Sequence, residues 1–390
     1  MTPPSPRLGV VGWSDVTGQA EAVATARAAA ESGEGLAHSW LIAGPPGSGR
    51  STLAFAFAAG LIARPGEEAA VESQVAARTH PDLGVLSTDR VVITIDEVRR
   101  LVAASQFSPS AGRYRVMVIE DADRMTERTS NVLLKALEEP PPRTVWILCA
   151  PSEADLLPTI RSRVRTLRLR VPSPADVADL LVRRDGVDPA LAVAAAREAQ
   201  SHIGMALRLA SDEGARRRRA RTLELALGIR STTAAVLAAG ELLDVAKADA
   251  EAFTAQRDEE ERAAAFRSLG LEPGASVPPA LRSQIKALEE DQKRRATRSL
   301  RDGVDRILVD LQSLYRDVLL RQLGAGLEPI NLAIDPAVGA AAAESTPAQT
   351  LATLDAIAEA RERIEQNVAP ALALEALLVT AVRRGGRSAA

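Results

Sequence analysis

Short apolar runs alternate with amphipathic stretches in the first part of the chain. Trp40–Ala43, Val116–Ile119 and Thr144–Cys149 are predominantly apolar, as is typical of strands buried on both faces of a parallel sheet. Short strands are also expected after Leu83, and Val164–Val171 has strand-like alternation. Helical stretches separate these runs, so the pattern predicts an α/β fold in which helices cover a parallel sheet.

After Ser173 only the helical period remains. The pattern predicts three parts: an α/β domain over residues 1–172, which begins with a loose leader at Met1–Gly9, a small helical domain over 173–225, and an all-helical domain over 226–390. Proline and glycine predict breaks at Leu271–Gly274 and Gly324–Pro336. The predicted helices of the last domain are Leu223–Ala239, Leu242–Leu269, Pro279–Leu323 and Pro347–Val382.

Composition narrows the possible functions. A net charge of −3 over 390 residues excludes a globally basic nucleic-acid binder, although a local basic patch remains compatible. The single cysteine, Cys149, excludes a disulfide framework and a thiolate zinc site, and three scattered histidines do not suggest another metal site. No secretory signal or bilayer-spanning apolar run is evident, so we expect a cytoplasmic protein without a membrane partner.

A glycine-rich segment follows the first apolar run. The segment GPPGSGRS matches the phosphate-loop pattern G-x-x-x-x-G-K-[ST] except that Arg50 replaces lysine. Such loops point backbone N–H groups at phosphate oxygens, and Ser51 would face magnesium. A planar guanidinium is not equivalent to a compact ammonium, so the substitution weakens the match. The alternative is a strand–helix turn without a ligand. The candidate phosphate-binding residues are Gly44, Pro45, Pro46, Gly47, Ser48, Gly49, Arg50, Ser51 and Thr52.

Two acidic residues, Glu120 and Asp121, follow the run Val116–Ile119. The carboxyl end of a parallel strand is where this class of sheet places ligand chemistry. In a nucleotide-hydrolysing site one carboxylate would hold magnesium through water and the next would orient the attacking water. The usual order is Asp-Glu, so the attacking-water carboxylate would be one methylene too short here. The alternative is an acidic strand end without metal.

Basic residues occur at two further places. Arg99 and Arg100 lie on a predicted helix, capped by Thr94 or Asp96, and are either solvated charges or phosphate contacts. The run Arg216–Arg221 is most simply a solvated helix face, with a DNA-binding patch as the alternative.

The order of motifs resembles the clamp-loader branch of the AAA+ ATPases. The motifs are GPPGSGRS, RVMVIEDADRM, SNVLLKALEEPPP and LLPTIRSR, followed by a helical domain ending in ERIEQNVAPALALEALLV. The resemblance implies an AAA+ module, a helical lid and a helical collar that joins five subunits. It also implies a hetero-pentamer with gamma/tau and delta subunits, which acts on a sliding clamp and primer–template DNA. A lone chain is then expected not to form an obligate homo-oligomer.

The resemblance also implies roles for single residues. Arg163, preceded by Ser162, matches the arginine finger that reaches a neighbour's ATP site. Val16, Gly18 and Gln19 match the segment beside adenine. Arg208 matches the second sensor.

Several departures from the family pattern weaken this chain's own ATP site. Besides Arg50 and the reversed Glu120-Asp121 pair, the polar sensor position falls at Ala150 or Pro151, which cannot donate a side-chain hydrogen bond. Ala63–His80 lacks the four zinc-binding cysteines of many relatives, so we expect no zinc and a segment kept as a loop or helices. The favoured hypothesis is a non-hydrolysing scaffold, with weak binding of magnesium ATP left open. The alternative is a gamma/tau-type motor that hydrolyses ATP.

Overall fold

The computed structural model describes residues 12–33, 35–88, 92–268 and 282–383. The expected leader Met1–Gly9 and the expected break at Leu271–Gly274 lie outside the described residues. The chain divides into two compact units, Met1–Ser211 and Asp212–Ala390. The predicted boundaries at 172/173 and 225/226 remain predictions.

The first unit is built on one five-stranded sheet in the order β2-β3-β4-β1-β5. All neighbouring strands are parallel, which confirms the predicted α/β fold. Because the strands are parallel, their carboxyl ends share one edge. The strands are β1 (Ser39–Ala43), β2 (Leu83–Leu86), β3 (Arg115–Ile119), β4 (Thr144–Ala150) and β5 (Arg165–Arg168).

Helices cover both faces of this sheet. Alternate residues of β1, β3 and β4 point to opposite faces, as period-2 strands require. One face packs on α1 and α2, and the other on α4, α5 and α6. The first-unit helices are α1 (Ala20–Ser32), α2 (Arg50–Ile62), α3 (Glu68–Ala76), α4 (Ile95–Ser105), α5 (Glu127–Glu138), α6 (Pro158–Arg161), α7 (Pro174–Asp185), α8 (Pro189–Glu198) and α9 (Ile203–Ser211).

The second unit contains only helices and one short 3-10 turn in its described part. The prediction of a helical break after Ala239 is wrong, because α11 continues through Gly240. No atom lies near enough to hinder a side chain there, so this glycine has only its intrinsic cost of about 1 kcal/mol. The elements are α10 (Glu213–Leu227), α11 (Thr232–Ser268), α12 (Arg282–Gln322), the turn Leu332–Ile334, α13 (Asp335–Ala343), α14 (Pro347–Glu365) and α15 (Pro370–Thr380).

The basic run Arg216–Arg221 is not simply a solvated face. Arg219 is buried, and its guanidinium contacts Asp310 at 3.0 Å and Asn331 at 2.6 Å. Arg218 contacts Asp249 at 2.8 Å. These contacts lie within the second unit, so part of the run stabilises the fold.

None of the helices in the described ranges combines the length and apolar character needed to cross a bilayer.

Candidate functional site

The glycine-rich loop joins β1 to α2 at the carboxyl edge of the sheet. Gly47 and Gly49 have φ angles of 77° and 93°, where glycine is favoured, and they turn the loop into α2. The N–H of Gly44 donates to the carbonyl of Ala150 on β4 at 3.2 Å. The predicted strand, loop and helix are therefore present, and α2 begins at Arg50, with Ser51 and Thr52 in its first turn.

Arg50 turns back onto the loop. Its Nη1 donates to the carbonyl of Gly44 at 2.9 Å. A lysine in a hydrolysing loop reaches the terminal phosphates, whereas this guanidinium contacts the backbone at the start of its own loop. Ser48 is buried, and in the described structure its hydroxyl has no hydrogen-bond partner.

The start of α9 covers one side of the loop. A Cβ atom at Gly47 would lie 2.3 Å from Cγ of His202, so the imidazole packs directly on this glycine. The N–H of Ile203 donates to the carbonyl of Gly47 at 3.2 Å. The same imidazole accepts a hydrogen bond from the N–H of Met205 at 3.2 Å, which fixes the ring at the start of the helix. Arg208, the expected second sensor, is half-buried on α9.

Gln19, expected beside adenine, is buried against the protein itself. Its Nε2 donates to the carbonyls of Arg170 at 2.7 Å and Ser48 at 3.4 Å. Its Oε1 accepts from the N–H of Arg170 at 3.0 Å. Val16 is also buried. The amide of Gln19 thus links the glycine loop to the chain after β5, and a position of this segment beside adenine remains a prediction.

The acidic pair follows β3 at the same edge. The carboxylate of Glu120 is only 12% exposed, and its Oε1 lies 2.6 Å from Nη2 of Arg78. Oδ2 of Asp121 lies 3.9 Å from Nε of Arg124. Burial raises the pKa of nearby Asp123, and the charge of Asp121 adds to this effect.

The resemblance implies magnesium and ATP, but the residues do not fit them in this arrangement. Arg78 places a cation on the carboxylate that would hold magnesium. Arg50 contacts backbone, and an imidazole covers Gly47. At the end of β4, Ala150 and the following Pro151 offer no side-chain donor. In the described ranges, no group of three or more acidic, His or Cys side chains is arranged to hold a metal ion.

Arg163 lies two residues beyond the end of α6, away from the glycine loop in sequence. Its Nε donates to Oε1 of Glu138 at 2.6 Å, and its Nη2 also contacts that carboxylate. Its Nη1 donates to the carbonyl of Thr159 at 2.7 Å and to the hydroxyl of Ser162 at 3.1 Å. The side chain is 34% exposed, so the guanidinium is held in place yet accessible.

Arg99 and Arg100 are exposed on α4. The side chain of Thr94 caps this helix in a capping box with Glu97, which confirms one of the two predicted caps. Arg99 lies 3.5 Å from Asp96, an exposed contact of small energy. A role in contacting phosphate remains a prediction for both arginines.

Sequence reasoning missed Arg78. It lies in Ala63–His80, which forms the helix α3 followed by a tight turn, one of the expected outcomes for that segment. Nothing in the local pattern marks Arg78, because its partner lies 42 positions further along the chain at Glu120. Only the folded structure, in which the turn after α3 brings Arg78 to the end of β3, reveals the pair.

The parallel sheet, the glycine loop after β1 and the acidic end of β3 define a P-loop module of the AAA+ type. Residues 18–173 match the model of a family described as DNA polymerase III, delta subunit. The DNA polymerase III subunit delta' of Pseudomonas aeruginosa is 33% identical over 196 residues, which cover 48% of this chain and 60% of that protein. The gamma/tau subunit of Mycobacterium tuberculosis is 30% identical over 178 residues, or 44% of this chain and 31% of that protein.

The first unit therefore resembles clamp-loader subunits of DNA polymerase III, and the delta-prime subunit is among the relatives it matches. The match spans less than two thirds of the length of these relatives. A solved DNA polymerase III gamma subunit-related protein from Thermotoga maritima aligns with 89% of this chain and 95% of its own, at 18% identity and a TM-score of 0.39.

Proposed function

We propose that this chain is a clamp-loader subunit that hydrolyses little or no ATP and gives Arg163 to the ATP site of a neighbouring subunit. The observation that carries the proposal is the contact of Arg50 with the carbonyl of Gly44. In an active loop, the side chain at this position would neutralise the terminal phosphates, whereas here the Arg50 side chain donates to a backbone carbonyl. The chain's own site therefore lacks its main charge-stabilising group.

Arg163 has the opposite character. Its guanidinium is exposed, and its principal partner is the exposed carboxylate of Glu138. An ion pair of this exposure is worth at most about 1 kcal/mol, so a phosphate on another subunit can displace the carboxylate at small cost. An arginine that enters a phosphoryl-transfer site stabilises the charge of the transition state. The chain would thus supply a catalytic group without completing a site itself.

The proposed partners are gamma/tau-type and delta-type subunits in a hetero-pentamer, together with a sliding clamp and primer–template DNA. Similarity to both delta-prime and gamma/tau proteins supports this setting. A cytoplasmic location is part of the same proposal. The helical second unit would act as the collar that joins the subunits.

Nucleotide labelling tests the proposal. The loader is reconstituted from this chain with its gamma/tau-type and delta-type partners and exposed to a photoreactive ATP analogue. We expect label on the gamma/tau-type subunit and little on this chain, and no ATP turnover by this chain alone. The isolated gamma/tau-type subunit is the positive control. Turnover by this chain at the rate of that control would contradict the proposal and favour a motor subunit.

A further inference from the structure

Arg78 occupies a backbone position that suits glycine. The helix α3 ends in a Schellman-type turn, in which the N–H of Thr79 donates to the carbonyl of Gln74 at 2.9 Å and the N–H of Arg78 to that of Val75 at 3.0 Å. Arg78 has a φ of 58°. This left-handed conformation disfavours any residue with a Cβ atom, and glycine adopts it without strain. The local turn therefore gives no reason for an arginine.

The side chain of Arg78 supplies a reason. Its guanidinium lies 5.1 Å from the ring centroid of Phe55, which belongs to the helix that follows the glycine loop. Its Nη2 lies 2.6 Å from Oε1 of Glu120. The cation is thus held between the loop helix and the acidic end of β3.

Glu120 depends on this cation. The carboxylate is 12% exposed, and among the described residues its Oε1 has no hydrogen-bond partner other than this ion pair. A nearly buried carboxylate without a compensating charge is strongly disfavoured. In a hydrolysing relative the compensating charge at this strand end would be a divalent cation.

We infer that Arg78 is a built-in cation that replaces magnesium at Glu120. The strand end is then neutralised permanently, without metal or nucleotide, and the folded module does not depend on a ligand for this charge balance. The inference uses the assignment of Glu120 to the magnesium-side strand end, but it makes no use of the arginine finger. It can therefore fail while the proposed function stands.

The full chain allows a selective measurement. All three tryptophans (Trp13, Trp40 and Trp146) belong to the first unit, so thermal unfolding followed by tryptophan fluorescence reports that unit. Arg78→Ala keeps a Cβ atom, and therefore the same backbone strain, and removes the guanidinium together with its aliphatic stem. We expect the melting temperature without metal to fall by about 2–4 °C. Arg99→Ala, which removes an exposed arginine of the same unit, is the matched control and should change the melting temperature little.

Two further measurements test whether Glu120 is the partner of Arg78 and whether magnesium is the ion that Arg78 replaces. In a Glu120→Gln background, Arg78→Ala should lower the melting temperature clearly less, because position 120 then carries a neutral amide that needs no compensating charge. Magnesium chloride should leave the melting temperature of the natural chain unchanged and restore part of the loss in Arg78→Ala, but not in the double variant. The inference is overturned if Arg78→Ala behaves like Arg99→Ala, if its effect is the same in both backgrounds, or if magnesium gives no recovery.

Discussion

Asp82 lies just before β2, and its carboxylate is completely buried. Oδ2 accepts from the N–H groups of Ala111 and Gly112, both at 2.7 Å, and Oδ1 accepts from the N–H of Ser110 at 2.7 Å. Nη2 of Arg115 lies 3.1 Å from Oδ1. Burial alone would raise the pKa of this carboxyl, but the three backbone donors outweigh burial and lower it to about 2. The carboxylate thus holds the loop that precedes β3 in place through these hydrogen bonds.

The magnitude follows from this pKa. An unfolded Asp has a pKa of about 3.9, and the difference of about two units corresponds to about 2.5 kcal/mol of stability near neutral pH. Because the folded pKa is the lower one, this stability is fully present above about pH 4. It is lost as the pH falls from about 4 towards about 2, with roughly half remaining at pH 3.

We therefore predict that Asp82→Asn lowers the unfolding free energy of the first unit by at least about 2.5 kcal/mol at pH 7. The amide of Asn places a donor against backbone donors, which adds to this cost. Urea unfolding followed by tryptophan fluorescence measures the change at several pH values.

The difference between the natural chain and Asp82→Asn should shrink as the pH falls below 4. Asp96→Asn, at an exposed carboxylate of the same unit, is the control and should change stability by less than about 0.5 kcal/mol. A loss at pH 7 no larger than that of the control, or a difference that stays constant down to pH 3, would refute the reasoning.

Three further predictions use the same chain. Gly47→Ala should destabilise the first unit by about 1–3 kcal/mol, because its Cβ would meet His202 at a φ of 77°; an unchanged tryptophan transition would contradict this. Arg219→Ala should lower the unfolding free energy of the second unit by about 3–5 kcal/mol, because Asp310 loses its buried partner. Circular dichroism should show this loss while the tryptophan transition stays in place. Glu138→Gln should cost at most about 1 kcal/mol in urea unfolding, since its pair with Arg163 is exposed; a larger loss would show that the pair is structural.

The periodic features of the fold were predictable from the sequence. Buried strands such as β3 and β4 appear as apolar runs. The spacing of Thr94 and Glu97 is that of a capping box, which predicts the start of α4. These signals are local, because the side-chain period and the cap depend only on neighbouring residues. The glycine loop was also predictable, because it is one continuous segment.

The contacts that decide the state of the site were not predictable. At the site, Arg78 and Glu120 are distant in sequence, and so are Arg219 and Asp310 in the core of the second unit; only packing brings each pair together. The helix α13 was missed for a related reason. Asp335–Ala343 follows a segment with glycine and proline, and its short alanine-rich pattern carries little periodic signal.

The central claim is that this chain contributes a finger to a neighbour's ATP site, and Arg163→Ala in a reconstituted loader tests it most directly. Turnover of ATP stimulated by clamp and primed DNA is measured with the substitution in this chain alone. Loss of the finger should slow the dependent site by on the order of a thousandfold while the loader still assembles on sizing. Arg168→Ala, which removes another exposed arginine paired with one carboxylate, should leave turnover unchanged. Unchanged turnover in Arg163→Ala would contradict the claim.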